Sequence, residues 1–459
     1  MLYNVCDYGA NPKSKEVQTK YFQNAIDECS SNGGGVVFVP KGEYMLGGVV
    51  VKNAVTVQFE DGTIIYGADL EHFEKDEYVP YPWYQDLSHT TYNVSLFRCD
   101  GATDITFKGN ATIDMREVWD EDCSRHEKSS GRGAKVFAFK KAKNVIIDGL
   151  KIINSTDITV YVAGCENVKL INLDIDTHID GINIDGCTNS YVGNCKILAG
   201  DDCIAVKTSY TLGYKSFTKD LLVENCSLTS RCAALKIGTE TGGDFSNVVF
   251  RNCYVYDTRL EAIALEIADG GIMDGVVVDN IKMKNVNVPL MIMLTDRKTK
   301  HPEGTPAGKI RNIRISNIEA IGPYLPFTTR AHTLKNFMLK DYHIEPWHIE
   351  GTKTDGLMPE YLPWQNSSSI TGIEGNCIEN VTLENVKIVA RGGGREEHRD
   401  IKVPTKRDIK PSTKLLGEIQ PSSILYCRHV KGLKLINVEC QTELEDKRDS
   451  FVFEDVTLI

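Results

Sequence analysis

A short phrase, in which two small strands flank a polar residue, recurs along the chain. In the middle of the sequence its successive starts are 23, 23, 30, 27 and 28 residues apart. A period of about 20–50 residues is the signature of a stacked repeat architecture. The copies are NVIIDGLKI (144–152), NVKLINLDI (167–175), SYVGNCKIL (190–198), DLLVENCSL (220–228), NVVFRNCYV (247–255), GVVVDNIKM (275–283), NIRISNIEA (312–320), NVTLENVKI (380–388) and GLKLINVEC (432–440).

The spacing of apolar residues within each copy indicates strands and not helices. Apolar and polar residues alternate as in half-buried strands, and the i, i+3, i+4, i+7 spacing of a helical repeat is missing. Propeller blades, the second choice, need about 40–45 residues each. The pattern predicts an all-β, single-domain parallel β-helix (1–459), with asparagines in left-handed conformation forming ladders at the bends. Most of residues 40–295 should lie in short parallel strands with no helix longer than one turn.

A solenoid has to cover the unpaired strand edges at its ends. Residues 17–31 form the clearest helical stretch and precede three glycines and the strand VVFVP, so residues 1–40 are predicted to form the N-terminal cap. Two segments rich in proline and aromatic residues interrupt the repeat, at 78–92 and 297–370. Long insertions in a rigid fold often carry function, and we expect these two at the cleft.

The composition argues against several classes of protein. The net charge is −11, from 52 basic and 63 acidic residues, whereas a nucleic-acid-binding protein usually shows a basic face. No run of about 18 apolar residues occurs, so no membrane span is expected. The first residues show no basic segment followed by an apolar one, from which we expect no secretory signal and a cytoplasmic location. The 14 cysteines lack paired CxxC spacing and are interpreted as free buried thiols, with a disulfide scaffold as the alternative.

Acidic residues and glycines concentrate in the segment 176–209. Asp180 lies 21 residues before Asp201, about one coil of the repeat, and Asp202 follows directly. Residues one coil apart stack about 4.8 Å apart along the solenoid axis, so three carboxyl groups would cluster on one face. Like charges at that distance cannot all ionise freely, and one group would keep its proton near neutral pH. This is the acid–base pair that a glycosidase needs; a calcium site or a solvated turn is the alternative.

The same segment resembles glycoside hydrolase family 28, the polygalacturonases and rhamnogalacturonases, which are right-handed parallel β-helices. The family pattern is Asn-Thr-Asp-Gly, followed about one coil later by Gly-Asp-Asp-Cys-Ile-Ala-hydrophobic-Lys. The chain reads HIDG (178–181) and then GDDCIAVK (200–207). The opening VCDYGANP, the stretch GGGVVFVPKGEYMLGGV and ATIDM (111–115) also resemble the family, so the resemblance extends from about residue 3 to about residue 440.

The resemblance implies catalytic roles for the three aspartates. Asp201 would be the general acid that protonates the leaving oxygen, and Asp180 and Asp202 would activate the attacking water. The family inverts the anomeric centre, which requires carboxyl groups far enough apart to hold a water molecule. The resemblance implies no metal and no organic cofactor.

Two departures from the family pattern concern the substrate. Where the family has the histidine of Gly-His-Gly, the chain has Ala233. The family's Arg-Ile-Lys, which holds the galacturonate carboxylate, corresponds to Ala264-Leu265-Glu266. Because a glutamate repels a uronate at neutral pH, we expect polygalacturonate to be a poor substrate and a neutral or deoxy-sugar glycoside to be turned over faster.

Charged residues near the aspartates are candidates for substrate binding. Alignment of INID, IAVK, AALK and IALE places Asp185, Lys207, Lys236 and Glu266 in one column. The column is interpreted either as a structural charge ladder or as a cleft floor that binds sugar hydroxyls. In the second interpretation Lys236 or Arg231 is available for an acidic group.

A histidine and three tryptophans complete the candidate binding residues. His178 replaces the family's asparagine near Asp180 and is a candidate substrate contact, with a structural role as the alternative. Trp83, Trp347 and Trp364 lie in the two insertions, and aromatic faces suit sugar rings; packing of the insertions onto the solenoid is the alternative. Such loops would close the ends of a groove and favour short substrates or action at chain ends.

These observations predict a cytoplasmic glycoside hydrolase that cleaves a pectin-like or related oligo- or polysaccharide by inverting acid–base hydrolysis. Its partner would be an oligosaccharide substrate, with no nucleic acid and no membrane involved. A polysaccharide lyase or epimerase on the same fold is the rival enzyme, but it usually needs calcium or a basic residue. An inactive carbohydrate-binding or structural β-helix is the rival outside enzymes, and the presence of all three aspartates disfavours it.

Overall fold

A computed structural model of the chain contains two compact units. The first unit comprises residues 1–199 and 209–226, and the second unit comprises residues 200–208 and 227–459. The prediction that the chain is a single domain stays a prediction. The structure describes residues 1–75, 87–120, 133–297, 301–324, 366–417 and 419–459.

The first unit is built from short strands. Its strands are β1 (Leu2–Asn4), β2 (Gly35–Val39), β3 (Glu43–Leu46), β4 (Val49–Val50), β5 (Val55–Phe59), β6 (Ile64–Gly67), β7 (Ser95–Asp100), β8 (Thr103–Lys108), β9 (Thr112–Asp114), β10 (Lys135–Lys140), β11 (Lys143–Asp148), β12 (Lys151–Ser155), β13 (Val160–Ala163), β14 (Glu166–Ile171), β15 (Asp174–Thr177), β16 (Ile182–Asp185), β17 (Thr188–Gly193), β18 (Lys196–Ala199) and β20 (Phe217–Glu224).

These strands stack in three parallel series, because each coil contributes one strand to each series. One series is β4, β7, β10, β13 and β16. The second runs from β2 through β5, β8, β11, β14 and β17 to β20. The third contains β3, β6, β9, β12, β15 and β18. The core lies between the series, where the buried rings of Phe97, Phe107 and Phe137 have centroids 4.9 to 5.5 Å apart.

The second unit repeats this parallel arrangement with longer strands. Its strands are β19 (Ile204–Thr208), β21 (Ser227–Ser230), β22 (Leu235–Thr241), β23 (Asp244–Ile267), β24 (Ile272–Leu294), β25 (Lys309–Ile321), β26 (Ser368–Thr371), β27 (Ile378–Ala390), β28 (Ser422–Thr442) and β29 (Asp449–Leu458). One parallel series pairs, in this order, β19, β22, the end of β23, the end of β24, β26, β28 and β29.

Asparagines make the bends within the long strands, as predicted. Asn317, Asn385 and Asn437 have φ angles of 56°, 54° and 49°, the left-handed region that asparagine tolerates better than most residues. The Asn385 amide donates to Asn317 Oδ1 at 3.1 Å, and the Asn437 amide donates to Asn385 Oδ1 at 2.9 Å. The predicted asparagine ladder is therefore confirmed.

The helix predicted near the N-terminus is confirmed as α1 (Thr19–Ser31). Its buried face includes Phe22, whose ring packs edge-on against Tyr44 with centroids 5.4 Å apart. Within the described part of residues 40–295 the helices are single turns and the strands are parallel, which confirms that prediction apart from the length of β23 and β24. None of the described helices combines the length and apolar character needed to cross a membrane. The 3-10 turns are Val5–Tyr8, Leu70–His72, Leu87–His89, Glu396–Asp400 and Thr413–Leu416.

Candidate active site

In the second unit, Asp201 and Asp202 lie in the bend that leads into β19. Two backbone hydrogen bonds to the next coil hold the bend. Cys203 N donates to Ala233 O at 3.0 Å, and Ile204 N donates to Ala234 O at 3.1 Å. Its peptide groups are further fixed by the Ser230 hydroxyl, which donates to the Asp201 carbonyl at 2.5 Å. Asp201 is half-buried and Asp202 is buried, so both carboxyl groups stand in a rigid frame.

Both oxygens of Asp202 have partners. The backbone amide of Ala233 donates to Oδ1 at 3.1 Å. The ammonium of Lys236 forms an ion pair with Oδ2 at 3.0 Å, and both side chains are less than a tenth exposed. Charge-assisted contacts of this kind fix orientation more strongly than neutral ones. Asp202 is therefore a positioned carboxyl group and not a solvated turn residue.

Lys236 lies between two acids. Its Nζ atom is 3.0 Å from Asp202 Oδ2 and 3.9 Å from Glu266 Oε1. Burial by itself would lower the pKa of Lys236, but the neighbouring carboxylates of Asp202, Glu266 and Asp201 raise that pKa well above its usual value. The ammonium therefore stays charged while almost completely enclosed.

Glu266 and Glu261 are buried acids on β23. Burial raises the pKa of Glu266 to about 7, and the attraction of Lys236 opposes that rise. Burial also raises the pKa of Glu261, whose Oε1 accepts a hydrogen bond from the Thr413 hydroxyl at 2.9 Å. With a pKa of about 7, Glu266 exchanges its proton near neutral pH.

An apolar cluster occupies the positions at which the family pattern has a histidine and an arginine. Ala233 and Ala264 pack there with five other buried side chains. Three of these lie far along the chain, in the segment 403–416 and on β28, and the single turn Thr413–Leu416 is part of the covering. The other members are Met291, Met293, Val403, Leu416 and Tyr426. The segment 403–416 thus covers this face of the second unit.

The predicted charge column is wrong in the second unit. Lys236 is in register with Ala205 and Ala264, and Glu266 is in register with Met293. The pairing follows the inward apolar residues, as in Val206 opposite Ile237, because a shift by one position would expose them. The sequence alignment matched charges instead of these inward residues. Lys236 and Glu266 still meet, as diagonal neighbours at 3.9 Å.

Lys207 has a structural partner. It falls where the register between β19 and β22 shifts, between Val206 and Thr208. Its Nζ atom lies 2.6 Å from Glu240 Oε2, and both side chains are nearly enclosed. A buried pair of this kind is costly to break, which disfavours the predicted direct contact of Lys207 with substrate.

Arg231 was a candidate from the sequence and stays one, whereas the neighbouring Arg259 was missed. Arg231 is half-buried, and Arg259 is only 3% exposed. They follow Ser230 and Thr258, which the bond from Ser230 N to Thr258 Oγ1 at 3.3 Å places side by side. Burial, and next the charge of Arg231, lower the pKa of Arg259 to about 9. In two successive coils an arginine directly follows a residue with a hydroxyl group. This repetition could have identified Arg259 from the sequence.

In the first unit, Asp180 lies in the turn before β16 and is 6% exposed. Its Oδ2 atom accepts a hydrogen bond from Asn183 Nδ2 at 2.9 Å, and its carbonyl accepts one from Thr159 N at 2.9 Å. His178 is buried, with Nε2 lying 3.0 Å from Glu117 Oε1. The ring of His178 also lies 6.2 Å from that of Trp119.

A fully buried ion pair in the first unit was missed by the sequence reasoning. Lys135 Nζ contacts Asp157 Oδ2 at 3.1 Å and donates to Thr91 Oγ1 at 2.9 Å. Both charged side chains have no exposed surface. Their separation of 22 residues equals one coil, a spacing that could have identified them.

Trp83, Trp347 and Trp364 lie outside the described residues, as do most of the two predicted insertions. Among the described residues of the second unit, Asp201 and Asp202 are carboxylates that could ligate a cation. The Lys236 ammonium already lies 3.0 Å from Asp202 Oδ2, and its charge would repel a divalent ion at that oxygen.

Two curated proteins, one from a plant and one from a fungus, are similar in sequence to this chain. The chain is 25% identical over 300 residues to a probable polygalacturonase of Vitis vinifera, covering 62% of this chain and 61% of that protein. It is 24% identical over 263 residues to a probable rhamnogalacturonase E of Aspergillus niger, covering 56% of this chain and 51% of that protein. The chain thus spans between about half and three fifths of the length of these curated relatives.

The fold agrees with that of a hyperthermoactive exopolygalacturonase from Thermotoga maritima. The TM-score is 0.68 at 17% identity, covering 96% of this chain and 92% of that structure. The predicted right-handed parallel β-helix is therefore confirmed. The family model described as "Glycosyl hydrolases family 28" matches residues 29–345, more than half of the chain. The chain belongs to glycosyl hydrolase family 28.

Proposed function

We propose that the protein hydrolyses glycosidic bonds of a pectin-like oligosaccharide with inversion at the anomeric carbon. Membership of family 28 supports the reaction class. The observation that carries the proposal is Asp202, which the Ala233 amide and Lys236 hold beside the half-buried Asp201. Two adjacent carboxyl groups in different surroundings suit an acid and a base.

In this proposal each aspartate has one role. Asp201, which is more exposed than Asp202, donates a proton to the leaving glycosidic oxygen. Asp202 accepts a proton from the water that attacks the anomeric carbon. One glycosidic bond breaks and one bond to water oxygen forms, so the products are two sugars and the carboxyl groups are restored by proton exchange with solvent.

We also propose action at chain ends. The segment 403–416 packs onto Ala233 and Ala264, and Thr413 bonds to Glu261. These residues follow the Asp201–Asp202 bend along the stack of the second unit. A groove obstructed there accommodates a short substrate or the end of a chain more readily than the middle of a polymer.

The test is the release of reducing sugar from a panel of neutral and acidic oligosaccharides. Asp201→Asn and Asp202→Asn should each lower kcat by at least about 10²-fold, since acid–base assistance contributes about 10²–10⁴-fold. Asp61→Asn, at an exposed position, is the control and should leave kcat unchanged. Full activity in either active-site variant would overturn the assignment. Formation of an unsaturated sugar together with the new reducing end, detected by its ultraviolet absorbance, would indicate a lyase.

We propose a cytoplasmic location, which the cysteines support. The described cysteines are free thiols, and most of them are buried, as in Cys187, Cys203 and Cys253. Free buried thiols are typical of proteins in reducing compartments. Fractionation of the source cells tests this proposal, and recovery in the secreted fraction would contradict it.

A further inference from the structure

The carboxyl group of Glu266 has an oxygen with no hydrogen-bond partner. Glu266 is 2% exposed, and its Oε2 atom is buried without a partner. The space for this oxygen exists because residue 238 is glycine: a Cβ atom there would lie 2.8 Å from Oε2. A buried carboxylate oxygen without a hydrogen-bond partner lowers the stability of the folded protein. Stability alone therefore does not explain why a glutamate occupies this position.

The surroundings of Glu266 are rich in acids. Lys236 is the enclosed ammonium of the group, and it interacts with the carboxyl groups of Asp201, Asp202, Glu261 and Glu266. Lys410 and Arg297 also interact with Glu266, but Arg297 is already paired with Asp269 at 2.6 Å, so the acidic groups still outnumber the cations. A further carboxylate bound next to Asp202 would meet this excess of negative charge in a poorly solvated place, where charge repulsion is strong.

We propose that Glu266 is the residue that selects the charge of the bound sugar, favouring a neutral sugar and excluding one that carries a carboxylate at the position beside Asp202. The proposal rests on the proposed function, because it assumes that sugar binds at Asp202. Glu266 acts through its charge and through Lys236, which it shares with Asp202. A direct contact with the sugar is not required.

The protonation of Glu266 makes this selection depend on pH. Burial raises the pKa of Glu266 to about 7, and the charged groups that face it are Lys236, Glu261, Lys410, Asp202 and Arg297. Below pH 7 the carboxyl group is neutral and repels an acidic sugar less. Above pH 7 it is ionised, and binding of an acidic sugar has to compete with loss of that proton.

The experiment compares two sugars that differ at one group. Dissociation constants are measured by calorimetry for trigalacturonate and for its carboxyl-reduced counterpart, with Asp201→Asn present throughout to prevent turnover. The ratio of the acidic to the neutral Kd should rise about tenfold between pH 6 and pH 8, as expected for one linked proton with a pKa near 7. Titrations that change the Kd of both sugars by the same factor cancel in this ratio.

Three additional variants isolate Glu266. Glu266→Gln, which keeps the shape and removes the charge, should lower the ratio at pH 8 about tenfold and make it independent of pH. Glu266→Asp retains a carboxyl group and should keep the pH dependence. Glu439→Gln, at an exposed position of β28, should change neither quantity.

The proposal is overturned if the ratio at pH 8 is the same with Glu266→Gln, if the acidic sugar binds more tightly than the neutral one, or if neither sugar binds. The proposed function is judged separately, by hydrolysis with the unmodified enzyme. Discriminating binding without hydrolysis would leave the role of Glu266 intact and contradict the reaction.

Discussion

Glu266 and Lys236 show how strongly the protonation of one residue depends on the charge of its neighbour. Lys236 remains charged because Asp202 and Glu266 flank it. Burial raises the pKa of Glu266 and the charge of Lys236 lowers it, so that Glu266 is about half ionised at neutral pH. Removal of either partner therefore changes the charge balance of the whole group. Two predictions follow from this dependence.

The first prediction is that Glu266→Gln stabilises the protein more at pH 8 than at pH 5. The folded pKa of about 7 is higher than the ordinary value of 4.5, so the folded chain holds this proton more tightly than the unfolded chain. The free energy of unfolding of the natural protein therefore falls as the pH rises from about 4.5 to 7, by up to about 3 kcal/mol. Thermal denaturation at both pH values measures this, and an equal effect of the substitution at pH 5 and pH 8 would contradict it.

The second prediction concerns Lys236→Met, which leaves buried acids without their cation. Breaking a buried ion pair from one side typically costs about 3–5 kcal/mol. We expect a loss of this size in urea unfolding at pH 8, and a partial recovery in the double variant with Glu266→Gln. If Glu266→Gln changes the free energy of unfolding at pH 8 by the same amount with and without Lys236→Met, the two residues are not coupled.

At the level of the elements, two features of the strands determine the position of each side chain. The inward apolar residues set the register, as Val206 opposite Ile237 and Leu265 opposite Ile292 show. The asparagine ladders fix the bends between consecutive strands. A bend that moves would carry the attached strands with it, so the ladders contribute to the precision of the site.

A third prediction tests the ladder at Asn385. Asn385→Ala forces a residue with a Cβ atom into a φ of 54° and removes the amide bonds to Asn317 and from Asn437. The left-handed conformation costs about 1–2 kcal/mol and each exposed hydrogen bond up to about 1 kcal/mol. Asn385→Gly retains the conformation and should lose less stability. Equal losses in the two variants, measured by urea unfolding, would show that backbone strain plays no part.

At the level of the whole molecule, the covering segment 403–416 brings distant parts of the second unit together. Leu416 is fully buried against a cluster that contains Ala233 and Ala264, although it lies 183 and 152 residues after them in the sequence. The aligned family residues, histidine and arginine, are polar. In this chain the position carries an apolar surface, and the segment 403–416 packs onto it.

A fourth prediction tests whether this covering restricts the substrate. Leu416→Ala removes buried apolar volume and should cost about 2–5 kcal/mol. If the segment obstructs the groove, the variant should also cleave polymer faster relative to a trimer than the natural enzyme does. Leu444→Ala, at a position 51% exposed, should change neither quantity. An unchanged ratio of polymer to trimer cleavage with Leu416→Ala would contradict action at chain ends.

The sequence was sufficient for some features because their cause is local or periodic. The repeat phrase predicted parallel strands and the asparagine bends, and the helical spacing near the N-terminus predicted α1. The position of Lys236 opposite Ala264 was missed, because the alignment followed charge while packing follows inward apolar residues. The covering of Ala233 and Ala264 was missed as well, since it depends on a contact with the segment 403–416 that no short motif encodes.

The glycine at position 238 has a consequence for how relatives of this protein can vary. A side chain at that position would place its Cβ atom 2.8 Å from both Cβ and Oε2 of Glu266, closer than folded proteins tolerate. Because every residue except glycine carries a Cβ atom, a shorter side chain at the position of Glu266 would not remove this clash. In an alignment of family members the position of Gly238 should therefore remain glycine, whatever the length of the side chain at the position of Glu266.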